Sequence, residues 1–187
     1  DFYSTFGRAK YAAATRSSID FGIGMVDRVT GGLMAGEIAY LIGRLGSHKT
    51  TLLQILAFHW FKTGKRVLFI SNESTSLNVF AYLDGMVGKF NPLMLRTQSL
   101  DASALNGLSE RVKEISKKGG EIIVPSQRSL RPMDVISLGQ HYNVDVILID
   151  GVYLMRPDEK TQGTWEKVSS ISRSLKQGAL SSGIPIV

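Results

Sequence analysis

After about the first twenty residues, the chain alternates between short runs rich in β-branched residues and longer segments with helical periodicity. Strands that are joined through helices pair in parallel, and the helices then pack on both faces of the sheet. The predicted strands are residues 37–43, 66–73, 121–126, 144–150 and 184–187, and the predicted helices are residues 49–65, 76–89, 103–120, 131–142 and 164–183. The pattern therefore predicts an α/β fold whose mostly parallel sheet carries helices on both faces.

The size and composition of the chain predict one globular domain that is neither exported nor inserted in a membrane. Its 187 residues, 43% of them hydrophobic, can bury a full core, and Trp60, Phe61 and Phe69 fall at spacings expected of core residues. No apolar run reaches the roughly eighteen residues of a membrane span. The absence of cysteine excludes disulfides and thiolate metal sites, and the formal net charge of +6 favours a polyanionic partner.

A glycine-containing loop lies between the first predicted strand and the first long helix. Its sequence GRLGSHKT, residues 43–50, fits the phosphate-binding pattern G-x-x-x-x-G-K-[ST] at every defined position except His48. In such a loop the backbone N–H groups surround phosphate oxygens, the lysine reaches the outer phosphates, and the hydroxyl after it serves magnesium. The predicted nucleotide-binding residues are Gly43, Arg44, Leu45, Gly46, Ser47, His48, Lys49, Thr50 and Thr51.

His48 stands where the pattern has glycine, at a position that often needs a positive φ angle. Histidine is among the non-glycine residues enriched at positive φ, so we expect a cost of about 1–2 kcal/mol and a loop that still works. The alternative is an ordinary strand–loop–helix junction that matches the pattern by chance.

Two acidic residues lie at the ends of predicted strands, at the edge where parallel sheets bind ligands. Asp150 closes the apolar run VDVILID, where a carboxylate can hold magnesium opposite Thr50. Glu73 follows the neighbouring strand, where it can polarise a water for attack on a γ-phosphate. We therefore predict Glu73 and Lys49 as catalytic residues and Thr50 and Asp150 as metal ligands. The alternatives are a turn-capping aspartate and a solvated loop glutamate.

Four segments resemble the ATPase domain of DnaB-type hexameric replicative helicases, which have the RecA fold. Residues 22–43 contain TGGL before the first strand, as that family does, and VLFISNESTS (67–76) resembles its VLFFSLEMS. VILIDGVYLM (146–155) resembles IVIDYLQLM, and residues 169–187 resemble ISRSLKALAKELNIPVI. Two departures are His48 and Gly151, since the family pattern has tyrosine after the aspartate.

The resemblance implies a RecA-like P-loop NTPase domain over residues 19–187, preceded by a linker or docking segment at residues 1–18. It implies a motor that uses ATP or another NTP with Mg²⁺ to move on single-stranded DNA and unwind duplex, as a homo-oligomeric, most commonly hexameric, ring. Primase or a helicase loader are implied as further partners, and the cytoplasm of a bacterium or phage-infected cell as the location. The family's polar sensor and arginine finger fall beyond Val187.

Two basic segments are candidates for contact with DNA phosphates. The first follows Asp150 and carries Arg156, Lys160 and Lys167, and the second carries Arg128 and Arg131. In RecA-like rings, loops of this kind line the central pore. The alternative for each is an exposed loop charge without a ligand.

A tyrosine in the first basic segment, Tyr153, either packs beneath the loop or stacks on a base.

Two other functions stay open at this point. A RecA- or KaiC-type ATPase of recombination or signalling would use Lys49, Glu73 and Asp150 equally well. A degenerate nucleotide-binding ring scaffold or loader would result if His48 has ended catalysis.

Overall fold

The computed structural model describes residues 18–159 and 163–187. The docking segment assigned to residues 1–18 lies outside these ranges except for Ser18, and Lys160 also lies outside them. The elements are α1 (Gly24–Thr30), α2 (Lys49–Lys62), β1 (Arg66–Ser71), α3 (Ser76–Gly88), α4 (Pro92–Arg96), α5 (Ala102–Ser116), β2 (Glu121–Ile123), α6 (Pro132–His141), β3 (Val146–Asp150), a 3₁₀ turn (Val152–Leu154) and α7 (Thr164–Ser182).

The sheet is parallel, with β1 between β2 and β3. Its register places Val67 beside Val146 and Ser71 beside Asp150. Parallel strands end at the same edge of a sheet, so the residues that follow β1 and β3 emerge side by side. The fold thus brings the two predicted acidic residues to one edge, as the sequence pattern requires.

The outer strands predicted at residues 37–43 and 184–187 are much shorter than the sequence pattern indicates. Ile186 forms isolated parallel bridges with Ile147 on one side and Ile38 on the other. The sheet therefore continues from β3 to residues 184–187 and then to residues 37–43. A regular ladder needs consecutive bridges, and in the described part of the chain residues 37–43 make only one, so the predicted strand is wrong in extent but right in position.

The core has two layers because successive residues of a strand face opposite sides of the sheet. Val67 and Phe69 of β1 pack in one cluster with Trp60 of α2, whereas Leu68 belongs to the other cluster. Trp60, Phe61 and Phe69 are all buried, which confirms their predicted core positions. Helices α2 and α3 cover the first face, and α6 and α7 cover the second, as predicted.

Two short helices were not predicted from the sequence. Helices α1 and α4 have 7 and 5 residues, too few to show an apolar stripe of helical period. Helix α4 begins at Pro92, where the side chain of Asn91 accepts a hydrogen bond from the Leu93 N–H at 2.9 Å. This cap satisfies an N–H that the first turn leaves without a partner.

No helix within the described ranges has both the length and the hydropathy needed to cross a bilayer.

Candidate functional site

The loop before α2 has the backbone conformation that the sequence pattern predicts. His48 has φ 60° and ψ 31°, in the left-handed region, and Gly46 also has a positive φ of 76°. His48 is exposed and its side chain caps no N–H of the helix. The histidine therefore takes the conformation for which glycine is usually needed, without using its ring to hold the loop.

The first residue of the loop, Gly43, has little room for a side chain. A Cβ atom added to Gly43 would lie 2.5 Å from the Ser47 Oγ, closer than any real contact allows. The Ser47 N–H donates to the Arg44 carbonyl at 3.2 Å, which closes the turn, while Leu45 is fully exposed at its tip. An open hollow of about 570 Å³ borders the loop, with Gly43, Ser47, His48, Lys49 and Thr51 among its lining residues.

The Lys49 ammonium group lies against the backbone of its own loop. It donates hydrogen bonds to the carbonyl oxygens of Gly43 at 3.0 Å and Arg44 at 2.9 Å. Phosphate oxygens are stronger acceptors than peptide carbonyls because they carry charge. The group is therefore positioned at the loop and can exchange its partners for a phosphate.

Thr50 and Asp150 meet across the end of the sheet. The Thr50 hydroxyl lies 3.0 Å from one Asp150 carboxylate oxygen and 3.1 Å from the other. Burial raises the pKa of Asp150, the hydrogen bond from Thr50 opposes this, and the nearby negative charge of Glu73 adds to it. Magnesium prefers hard oxygen ligands, so this hydroxyl and carboxylate fit its requirements.

Glu73 faces the same cavity as Lys49 and Asp150. The cavity has a volume of about 150 Å³, and these three side chains are among its lining residues. The Tyr153 hydroxyl donates a hydrogen bond to the Glu73 Oε1 at 2.8 Å. This bond raises the pKa of Tyr153, so the phenol keeps its proton and remains the donor. The structure therefore brings together all four residues predicted as catalytic or metal-binding.

Asn72 is a buried polar residue of this edge that the sequence reasoning missed. Its backbone N–H donates to the Asp150 carbonyl at 3.1 Å, and its side-chain amide donates to the Gly151 carbonyl at 3.2 Å. Its side-chain oxygen accepts from the Ser129 N–H at 3.1 Å. Asn72 thus ties together the ends of β1 and β3 and the loop before α6. Its position at the end of a buried strand could have identified it from the sequence, because a buried polar side chain needs hydrogen-bond partners.

We predict that Asn72→Ala lowers the free energy of unfolding by about 1–3 kcal/mol, since it leaves the half-buried Gly151 carbonyl and Ser129 N–H without their partners. Urea denaturation measures this change. Asn106→Ala is the matched control, because Asn106 is exposed on α5 and no side-chain hydrogen bond is lost there. Equal stability of the two variants would contradict the role given to Asn72.

The two basic segments lie next to each other. The Arg156 N–H donates to the Leu130 carbonyl at 3.3 Å, which joins the segment after β3 to the loop before α6. Arg128 and Arg156 are exposed. We call residues 126–131 and 151–159 the basic loops.

Among the cations of the basic loops, Arg131 is already engaged. Its guanidinium group donates to Asp134 at 3.0 and 2.9 Å, and this hydrogen bonding lowers the pKa of Asp134. The Arg131 N–H also donates to this carboxylate at 3.2 Å, which caps the start of α6. Arg131 therefore has a structural role, and Arg128 and Arg156 are better placed to meet an anion. Lys167, on the first turns of α7, is half-buried.

A family model matches almost the whole chain. The family model described as the DnaB-like helicase C terminal domain matches residues 18–187. A stretch of 56 residues is 43% identical to the DNA repair protein RadA of Mycolicibacterium smegmatis, over 29% of this chain and 12% of RadA. The DNA repair protein RadA of Mycobacterium tuberculosis is 39% identical over 56 residues, with the same coverage.

Two solved structures share the fold at low sequence identity. The first, described as an ATPase domain, has a TM-score of 0.81 and 18% identity, over 97% of this chain and 66% of that one. The second, a DnaB-like replicative helicase described with its interactions with primase, has a TM-score of 0.76 and 19% identity, over 90% of this chain and 42% of that one. The chain thus spans less than two thirds of each of these relatives.

Proposed function

The chain belongs to the family of DnaB-like helicase C-terminal domains, and from this we propose that it is the motor domain of an ATP-dependent replicative DNA helicase. Its fold is that of a RecA-like P-loop NTPase. In the proposal, the domain hydrolyses ATP or another NTP with Mg²⁺, and the protein uses the energy to move along single-stranded DNA and unwind duplex.

The observation that carries the proposal is the convergence of four side chains at the carboxyl edge of the sheet. Thr50 and Asp150 are in hydrogen-bond contact, and Lys49, Glu73 and Asp150 face one cavity. They come from distant segments, since Thr50 and Asp150 are 100 residues apart in the sequence. A chance match of the loop to the phosphate-binding pattern would not account for this arrangement.

Each residue has a distinct part in the proposed hydrolysis. Loop N–H groups and Lys49 would hold the phosphates, and Thr50 and Asp150 would hold magnesium, which would neutralise phosphate charge. Glu73 takes a proton from a water as its oxygen bonds to the γ-phosphorus. The bond from that phosphorus to the bridging oxygen breaks, and the nucleoside diphosphate leaves. The nucleotide-binding residues proposed are the loop positions 43–51.

We expect His48 to be accommodated in the working loop. His48→Gly should change the affinity for ATP by less than about tenfold, or about 1.4 kcal/mol, because the histidine already has the left-handed backbone. His48→Val should weaken binding more, since a β-branched residue is a strong outlier at positive φ. Calorimetric titration with ATP and magnesium measures both. Binding that appears only after glycine is introduced would mean that the site is decayed.

The finer assignments of partners and location are also proposals. Family membership supports a homo-oligomeric ring, most commonly a hexamer, around single-stranded DNA in the cytoplasm of a bacterium or phage-infected cell. The structural relative described with its interactions with primase supports primase as a further partner. A helicase loader is proposed from the family resemblance alone. Arg128 and Arg156 of the basic loops are the proposed phosphate contacts, and Arg131 and Lys160 are weaker candidates.

Hydrolysis of ATP with and without oligodeoxythymidylate tests the proposed function. The intact protein should hydrolyse ATP slowly alone and several-fold faster with the oligonucleotide. The stimulation should fall as salt rises, because phosphate contacts release counterions. Hydrolysis that single-stranded DNA leaves unchanged would contradict a DNA motor.

A second function, an ATPase of DNA repair or recombination, is favoured by the similarity to RadA over 56 residues. It would need the same Lys49, Glu73 and Asp150. The two functions differ in whether hydrolysis separates the strands of a duplex.

A further inference from the structure

The surroundings of Glu73 show which contact governs its position. Glu73 is exposed, and within the described ranges its one side-chain hydrogen bond comes from the hydroxyl of Tyr153 at 2.8 Å. Tyr153 belongs to the 3₁₀ turn that follows β3, and its own side chain is 53% exposed. The proposed catalytic carboxylate is therefore held by a residue of the basic loops.

Gly151 makes room for this contact. It has φ 77°, and a Cβ atom added to it would lie 2.9 Å from the Glu73 Cγ and 3.2 Å from the Glu73 Oε1. A side chain at position 151 would therefore require Glu73 to shift, and the positive φ would strain the backbone. The helicase pattern that the sequence resembles has tyrosine at this position, directly after the aspartate, whereas here Tyr153 stands two residues later. The glycine and the displaced tyrosine together bring Glu73 to the basic loops.

Lys49 and Thr50 differ from Glu73 in the kind of event that would break their hydrogen bonds. Lys49 bonds loop carbonyls and Thr50 bonds Asp150, and a phosphate and a metal ion are the natural replacements for these partners. Glu73 bonds a phenol on a segment that continues to Arg156. Tyr153 lines the same cavity as Lys49 and Asp150, and movement of its segment would break the bond.

We propose that Tyr153 is a positioning residue that holds Glu73 away from the attacking water until the basic loops bind nucleic acid. The inference rests on the proposed function, because it takes Glu73 as the base of ATP hydrolysis. Arg156 lies three residues after Tyr153 and is anchored to Leu130. A polyanion bound to Arg128 and Arg156 would pull on both loops, and the phenol would then release the carboxylate. Nucleic-acid binding is in this way coupled to hydrolysis.

Tyr153→Phe tests the proposal, because it removes the hydroxyl and keeps the ring. Steady-state hydrolysis by the intact protein should rise about fivefold without DNA, since a net hydrogen bond between exposed groups shifts an equilibrium about fivefold. The rate with saturating oligodeoxythymidylate should change by less than about twofold, so stimulation by DNA should nearly vanish. The KM for ATP should change by less than about twofold, because the side-chain hydrogen bond of Tyr153 is to Glu73 and not to the phosphate loop. Tyr82→Phe, on the exposed side of α3, is the matched control.

Three outcomes would overturn the proposal. Unchanged rates with and without DNA would mean that the hydrogen bond does not restrain Glu73. A loss of hydrolysis under both conditions would mean that Tyr153 orients Glu73 for catalysis instead of restraining it. Glu73→Gln, assayed in parallel, separates these results from a failure of the proposed function. If that variant hydrolyses ATP normally, Glu73 is not the base and both the hydrolysis mechanism and the role of Tyr153 fail.

Discussion

Lys49→Ala is expected to lower the affinity for ATP by about a hundredfold or more and to remove hydrolysis. The ammonium group lies against the loop with two hydrogen bonds to its carbonyls, so it is close to where the loop would bind phosphates. Each charge-assisted hydrogen bond to a phosphate contributes about 1.5–3 kcal/mol, and two of them correspond to at least a hundredfold in affinity. Calorimetric titration with ATP and magnesium gives the value directly.

Lys62→Ala is the matched control for this loss. Lys62 ends the same helix, α2, at the opposite end from the phosphate loop, and it is exposed. Its replacement removes the same charge from the protein without touching the site. An affinity that falls equally in both variants would mean that only the net charge matters. An affinity that stays unchanged in Lys49→Ala would remove the phosphate-loop assignment.

Glu73→Gln is expected to reduce the rate of hydrolysis by about a hundredfold to ten-thousandfold and to leave ATP affinity nearly unchanged. A general base contributes this much when it takes a proton in the transition state, and the amide cannot take one. The amide oxygen of glutamine can still accept the hydrogen bond from Tyr153, so the geometry should be kept. Single-turnover hydrolysis separates the chemical step from product release.

Glu114→Gln provides the control for the second variant, since Glu114 is exposed on α5, an element that does not line the cavity of Glu73. Its rate should equal that of the unmodified protein. Normal hydrolysis by Glu73→Gln would assign the proton transfer to another group. Loss of ATP binding in that variant would indicate a structural defect instead of a missing base.

The fold could be predicted where apolar residues repeat with a clear period. The apolar run at residues 146–149 predicts a buried strand, so Asp150, which ends it, is expected at the sheet edge. The left-handed conformation of His48 also followed from the loop pattern. The lengths of the strands at residues 37–43 and 184–187 could not be predicted from the sequence. They depend on how many residues, in particular of residues 37–43, pair with a neighbouring strand.

The contacts around the predicted site could not be derived from the sequence. Asn72 bonds residues 57 and 79 positions away, and Tyr153 bonds Glu73 across 80 positions. Such bonds depend on how neighbouring strands are aligned along their length and on the turns that follow them. The periodicity of apolar residues specifies neither. The ion pair between Arg131 and Asp134 is local, and its spacing of three residues at a helix start was a usable signal.

Strand separation is the measurement that tests the proposed motor most directly. The intact protein, given ATP, magnesium and a forked duplex with single-stranded arms, should release the displaced strand. Glu73→Gln should bind the fork without opening it. Hydrolysis stimulated by single-stranded DNA without strand release would contradict the helicase and favour the repair or recombination ATPase. ATP binding with neither hydrolysis nor strand release would contradict both and identify the domain as a nucleotide-binding scaffold.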